Sequence, residues 1–489
     1  MSDQTCELAF GVIASGFENG ALTELPPFGG YLLFARNGTS AATAREVTDA
    51  LRSQFAGVPP PLIGIDQEGG RVARLREGVE PMPPMLALGA AGDVELAARA
   101  GEQTAFDLRR AGCSLDFAPV LDLALDPRNT VIGNRSLGSD PEAVAQLGER
   151  FARALMGGGV TPCYKHFPGH GATDVDSHVA RPFVDVAEAT LRRRDLLPFA
   201  RVAGTAPAIM GAHVVARALD AENPASLSAR AVALLRDDLG FCGAYVTDCL
   251  EMGAVEGGDP EIAVRALLAG ADLLLFSHRP DFARAAAGAI EAAVAGGRLP
   301  LARLREAHAR VLRLRTAASD ALPLDLWPPH PGVGREIARR AVTLIRGFPH
   351  ADPTASHALQ FGEPAVSLAR EAPALTETVL ALEPDGAAVE NALESMAHGG
   401  RRPIVLARRA HVYPRQAAAV ARVVERFPDA VVVSVLEPFD VVCFPSARHL
   451  LAAYGDDSAC TGGLADVLFS GIMPQGRLPL FVGDEFARA

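Results

Sequence analysis

The stretch Lys165-His166-Phe167-Pro168-Gly169-His170-Gly171-Ala172-Thr173-Asp174-Val175-Asp176-Ser177-His178 gathers one lysine, three histidines and two aspartates. It follows a short apolar run, residues 159–164, that reads as a buried strand ending where the lysine begins. Pro168, Gly169 and Gly171 then force a loop. A rigid strand end can aim polar groups that a loop alone cannot, which makes this an active-site pattern. The plain alternative is a polar surface loop, for which His-x3-His followed by Asp-x-His is unusual content. Within the loop, Asp176 and His178 are two residues apart. In an extended segment they share a face, so the aspartate can accept from Nδ1 and fix the tautomer. Such a pair can serve as general acid and base near neutral pH.

Two further stretches offer chemistry. Asp248 ends the run Cys242-Gly-Ala-Tyr-Val-Thr-Asp248. A buried strand delivering a carboxylate suits a nucleophile for an anomeric carbon. An N-cap for the next helix is the competing reading, since aspartate is common there. Asp66-Gln67-Glu68-Gly69-Gly70-Arg71-Val72-Ala73-Arg74 sets acids and arginines around a tight turn. It suits a polyhydroxylated ligand, whose hydroxyls take charged partners, or it is a salt-bridged turn. It lacks the Lys-Ser/Thr ending of a phosphate loop. A metal centre on His166, His170, Asp174, Asp176 and His178 is the chemical rival. The stiff Phe167-Pro168-Gly169 and the adjacent Lys165, which repels a cation, argue against it, so no metal and no cofactor are expected.

The elements that must position these groups alternate. Candidate strands at 8–13, 30–35, 62–66, 115–118, 159–164, 208–212, 244–247 and 272–276 are separated by helical patterns such as 42–55, 94–111, 141–156 and 280–295. Eight strands alternating with helices predict a parallel sheet able to close into a (β/α)8 barrel. The polar signals Arg36-Asn37, Asp66-Gln67-Glu68, Asp122, Lys165-His166, His213 and Asp248 fall at strand C-terminal ends, where a barrel carries its site. The predicted division is a catalytic barrel over 1–318, a proline-rich linker over 319–334 and a smaller α/β sandwich domain over 335–489. Strands in the latter are expected at 342–345, 379–382, 404–406 and 431–436. It carries few histidines or clustered acids, so it offers no obvious chemistry.

The chain has 489 residues and a formal charge of −12. That acidity argues against nucleic acid and against an anionic membrane surface. No run approaches about 18 uninterrupted apolar residues, so no membrane span is expected. Seven cysteines without paired spacing and an N-terminus without a basic leader predict a cytoplasmic protein with reduced thiols.

Taken together, the stretches resemble glycoside hydrolase family 3, in its β-N-acetylglucosaminidase branch. The resemblance rests on Gly30-Tyr-Leu-Leu-Phe-Ala-Arg-Asn37, Ile65-Asp-Gln-Glu-Gly-Gly-Arg-Val-Ala-Arg74, Phe117-Ala-Pro-Val-Leu-Asp122, Val131-Ile-Gly-Asn-Arg-Ser136, the 165–178 loop and Val246-Thr-Asp-Cys-Leu-Glu-Met252, in the family's order. It departs at Leu137, where an aromatic is usual, and at Asn134, where an acid is. The resemblance implies Asp248 as nucleophile of a retaining mechanism and His178 as acid/base, with Asp176 as its partner. Asp66, Arg74, Arg135, Lys165 and His166 would hold the sugar. The implied activity is exo-β-N-acetylglucosaminidase, on a GlcNAc-containing oligosaccharide or a muropeptide from recycled peptidoglycan. Phosphate in place of water would make the same chemistry a phosphorylase, because a histidine acid/base does not repel phosphate as a carboxylate would. A silent sugar-binding barrel is the third reading, and loss of Asp248 or His178 would have signalled it. The second domain resembles the family's C-terminal sandwich chiefly through Gly471-Ile-Met-Pro-Gln-Gly-Arg-Leu-Pro-Leu480.

Overall fold

A computed structural model describes residues 2–55, 58–173, 181–255, 259–319, 329–347 and 350–482. Eight parallel strands close into a barrel: β1 (Ile13–Gly16), β2 (Gly30–Leu33), β3 (Leu62–Ile65), β4 (Leu115–Asp116), β5 (Thr161–Phe167), β6 (Ala208–Gly211), β7 (Ala244–Cys249) and β8 (Leu273–Phe276), which pairs back to β1. Their apolar character is continuous because one face fills the barrel while the other meets helices. Leu32, Leu62, Cys163, Met210, Val246 and Leu275 belong to the inner cluster, which Val311 and Leu314 of the helix Leu301–Ser319 join. At the N-terminal end of the barrel, fully buried Asp272 accepts from Arg236 (2.6 Å), Arg303 (2.7 Å) and Arg310 (3.2 Å). That end is stapled by ion pairs, which leaves the opposite mouth for chemistry.

Two expectations need correction. Residues 2–11 form the helix Ser2–Gly11, and the first strand begins only at Ile13. A short apolar run cannot be assigned by periodicity alone, and here Leu8, Ala9 and Val12 are buried at helix-like spacing. The strand expected at 159–164 continues through Phe167, which pairs with Gly211 of β6, while Lys165 bridges to Val120. Lys165 and His166 therefore sit on a strand and not in the loop that follows it.

Beyond the barrel, six strands form a second sheet: β9 (Thr343–Arg346), β10 (Ser356–Phe361), β11 (Thr376–Leu380), β12 (Arg402–Ala407), β13 (Val431–Ser434) and β14 (His449–Ala452), in the order β9-β14-β13-β12-β10-β11. All pairs are parallel except β9 with β14. Strands β10 and β14 were not foreseen. In β10, His357 interrupts the apolar pattern, yet it is buried because Thr376 and Thr378 of β11 satisfy both ring nitrogens at 2.8 and 2.9 Å.

Residues 320–328 of the expected linker lie outside the described residues. After them, the helix Val333–Ala341 packs between barrel helices Met85–Ala91 and Val94–Arg110 on one side and Ser458–Phe469 on the other. Arg99 pairs with Glu336 at 2.8 Å and Arg340 with Asp93 at 2.9 Å across this contact. Among the described residues no helix is long and apolar enough to cross a membrane.

Candidate active site

The C-terminal mouth of the barrel holds a cavity of about 550 Å³. Strand ends supply its polar groups because each strand is pinned by both neighbours up to the point where its last side chain turns into the mouth. Asp66 and Glu68, just beyond β3, face Lys165 from β5. The Lys165 Nζ lies 2.9 Å from Asp66 Oδ1 and 2.5 Å from Glu68 Oε1. Arg74 reaches Asp66 Oδ2 at 3.0 Å, and Arg135 grips both Glu68 oxygens at 2.8 Å. Burial would raise the Asp66 carboxyl, but Lys165 and Arg74 hold it far below the ordinary carboxylate range. Burial would likewise raise Glu68, which Arg135 and Lys165 bring down to about 2. Three cations thus meet two carboxylates, an array that presents fixed donors and acceptors to ligand hydroxyls.

Beneath this array Asp116 is fully buried, and only its Oδ1 has a partner, the Gln67 N–H at 3.0 Å. Burial drives its carboxyl well up, while Lys165 makes its ion pairs with the other two acids.

His166 points its Nδ1 at Asp122 Oδ2, 2.6 Å away, and the same oxygen accepts the His166 backbone N–H at 3.2 Å. The other carboxylate oxygen accepts the His170 N–H at 2.7 Å. Burial would raise Asp122, but His166 and His170 hold it below the usual range. A carboxylate fixed in this way orients the imidazole and leaves Nε2 as its remaining polar atom. His166 and His170 both line the cavity.

Asp248 lies near the end of β7, where the register with β8 shifts after Val246, and lines the cavity. It caps no helix: its Oδ1 accepts the N–H of the next residue, Cys249, at 2.7 Å. Burial would raise its carboxyl, but His213, His166, the Cys249 N–H and Lys165 keep it below the ordinary range. Nearby His213 is anchored by Ser226 Oγ on Nδ1 (2.6 Å) and by the Cys249 carbonyl on Nε2 (2.8 Å). An ionised, partly shielded carboxylate at the mouth of a barrel is chemically able to attack an electrophilic carbon.

The structure brings Asp66, Arg74, Arg135, Lys165, His166 and Asp248 to one cavity. Asp176 and His178 lie outside the described residues, as does Asp174. Sequence reasoning did not assign Glu68 or Asp122 to the site, although both belonged to strand-end signals. It also missed Phe34, Glu251 and His278, which line the same cavity. The Arg36 and Arg74 guanidinium groups lie over the Phe34 ring at 4.5 and 5.7 Å, and the His278 ring is 5.5 Å away. Glu251 Oε2 accepts the His278 N–H at 2.8 Å, while its Oε1 is buried without a partner. Only the i+3 spacing of Glu251 from Asp248 hinted at it.

Residues 18–314 match the glycosyl hydrolase family 3 N-terminal domain. The chain belongs to this family. It is a glycoside hydrolase, and its catalytic barrel accounts for the match. The chain is 40% identical over 270 residues to a β-hexosaminidase of Pseudomonas aeruginosa, covering 54% of this chain and 80% of that one. A family 3 β-N-acetylglucosaminidase from Paenibacillus sp. str. FPU-7 superposes with a TM-score of 0.89 at 32% identity, covering 99% of both chains. NagZ from Neisseria gonorrhoeae, solved in complex with N-trifluoroacetyl-D-glucosamine, superposes with a TM-score of 0.51 at 32% identity, covering 62% of this chain and 98% of that one.

Proposed function

We propose that this glycoside hydrolase is a retaining exo-β-N-acetylglucosaminidase that releases terminal GlcNAc, in the cytoplasm, from fragments derived from peptidoglycan. The observation that carries the reading is Asp248, held as a carboxylate near the end of β7 and lining the same cavity as Asp66, Arg74, Arg135, Lys165 and His166. The family 3 β-N-acetylglucosaminidase that superposes over the full chain, and the β-hexosaminidase that matches the barrel, support the sugar. Seven free cysteines support the compartment.

In the first step Asp248 attacks the anomeric carbon as His178 gives a proton to the glycosidic oxygen. The bond to the aglycone breaks, and a glycosyl ester to Asp248 forms. In the second step His178 takes a proton from water, the oxygen adds to the anomeric carbon, and the Asp248 carboxylate leaves. Asp176, as the proposed partner of His178, would raise the affinity of the imidazole for the proton it must carry. Asp66, Lys165, Arg74 and Arg135 bind hydroxyls of the GlcNAc, and His166 presents Nε2 to the sugar. A pocket lined at its base by these groups suits a chain end, which is the exo mode.

The test is an aryl β-GlcNAc assay with and without phosphate. Free GlcNAc in both supports the hydrolase. Release of GlcNAc 1-phosphate as the main product would make the enzyme a phosphorylase.

A further inference from the structure

We infer that the second domain takes part in substrate binding through Glu437, a positioning residue that sets the turn carrying Arg135. The inference rests on the proposed contact of Arg135 with the sugar. Glu437 leaves only 4% of its side chain exposed and sits just after β13, at the face turned toward the barrel. Its Oε2 and Oε1 accept from Arg409 Nε at 2.7 Å and from the same guanidinium at 2.8 Å. That Oε1 also accepts the backbone N–H of Asn134 at 3.2 Å. Burial would raise the Glu437 carboxyl, but Arg409 and Arg71 hold it below its ordinary range, so the acceptor is charged.

The barrel side is shaped to receive it. Gly133, Asn134 and Arg135 form a single 3-10 turn, in which Gly133 adopts φ +46°. A Cβ on Gly133 would lie 2.2 Å from Glu437 Oε1, so the absence of a side chain is what lets the carboxylate reach the turn. A second bond from the same domain follows: Asn134 Nδ2 donates to the Tyr454 carbonyl at 3.0 Å. Upstream, the Pro127 carbonyl accepts from His411 Nε2 at 3.0 Å. The segment from Pro127 to Arg135 is therefore tied to the second domain at both ends.

The segment also feeds the cavity at two points. Arg135 leaves the turn to grip Glu68, and Arg71 steadies it by donating to the Thr130 and Val131 carbonyls at 2.7 Å each. Asn129 Nδ2 donates to the His170 carbonyl at 2.9 Å. A guanidinium that must meet both oxygens of one carboxylate tolerates little displacement of its backbone. Loss of the Glu437 contact removes a charged acceptor from that backbone. The effect should appear in substrate affinity and not in the chemical step, because Glu437 touches neither Asp248 nor the reacting atoms.

The experiment is steady-state kinetics of the full chain on an aryl β-GlcNAc, for Glu437→Ala, Arg135→Ala and the double variant, with thermal unfolding of each. Glu437→Ala is expected to raise KM about tenfold with kcat changed less than about threefold. In the Arg135→Ala background it should add no further rise, because its effect runs through Arg135. Glu437→Gln keeps an oxygen for the Asn134 N–H and should recover most of the affinity. If Glu437→Ala does not fold, Gly133→Ala reads the same contact from the barrel side and must raise KM similarly. An unchanged KM in the folded variants, or an equal penalty with and without Arg135, overturns the inference. A KM unaffected by Arg135→Ala would overturn the sugar-binding assignment beneath it, so the two failures are distinct.

Discussion

Glu68 accepts from Arg135 through both carboxylate oxygens at 2.8 Å, and its side chain keeps only 1% of its surface exposed. The same carboxylate lies 2.5 Å from Lys165 Nζ, so it serves two buried cations at once. Removing its charge strands Arg135 and leaves Lys165 with Asp66 alone. Glu68→Gln is expected to cost about 3–5 kcal/mol of unfolding free energy, read by urea titration. It should also raise KM, because Arg135 and Lys165 lose their orientation.

The same pair fixes a pH window. The Glu68 carboxyl is lowered from 4.5 to about 2 in the folded protein. A depressed carboxyl stabilises the fold fully above its unfolded value and loses that contribution as pH falls through its folded one. Stability should therefore decline from about pH 4.5 toward pH 2, and part of this slope should be missing in Glu68→Gln. Identical slopes in both proteins would show that the carboxylate is not held as described.

Much of this site was legible in the sequence because its groups sit where strands end. Asp66, Lys165 and Asp248 each follow an apolar run, and strand order then brings distant runs to one mouth. Glu68 was harder to assign. It is separated from Asp66 by one residue, and nothing in the spacing tells a hydroxyl-binding acid from one that anchors Arg135. Asp122 carries the same ambiguity, since its service to His166 depends on a contact across 44 residues. His278 gave no signal, and Phe34 stood out only within the Gly30–Asn37 stretch, because stacking between separate strand ends leaves no local pattern. In the second sheet, His357 hid β10 for a similar reason: its partners, Thr376 and Thr378, belong to another strand. The strand expected at 8–13 takes in the end of the helix Ser2–Gly11 because a run of about six apolar positions fits either period.

The ionisation of Asp248 gives a second expected outcome. The proposed mechanism needs the carboxylate, which is present above its pKa and lost as pH falls through it. His213, His166, the Cys249 N–H and Lys165 outweigh burial and set that pKa below the usual carboxylate range. The acid limb of kcat/KM on an aryl substrate should then lie below the range where a free aspartate titrates. An acid limb at pH 5 or above in the folded enzyme would contradict this account of the carboxylate.

His178 is tested by leaving-group chemistry. An aryl group that departs readily needs little protonation, whereas a sugar hydroxyl needs it. His178→Ala should slow a disaccharide by about 10²–10⁴-fold and a good aryl glycoside by at least tenfold less. Asp248→Ala should slow both alike. Equal losses on both substrates for His178→Ala would assign the proton to another residue.

The central claim is that Asp248 forms the bond to the sugar, and it is tested most directly by trapping. A fluorinated GlcNAc analogue with a good leaving group should accumulate as the glycosyl ester, and peptide mass spectrometry should place the label on Asp248. The label should be absent from Asp248→Ala. A label on Glu251, on Asp176 or on no residue of the active enzyme would contradict the account.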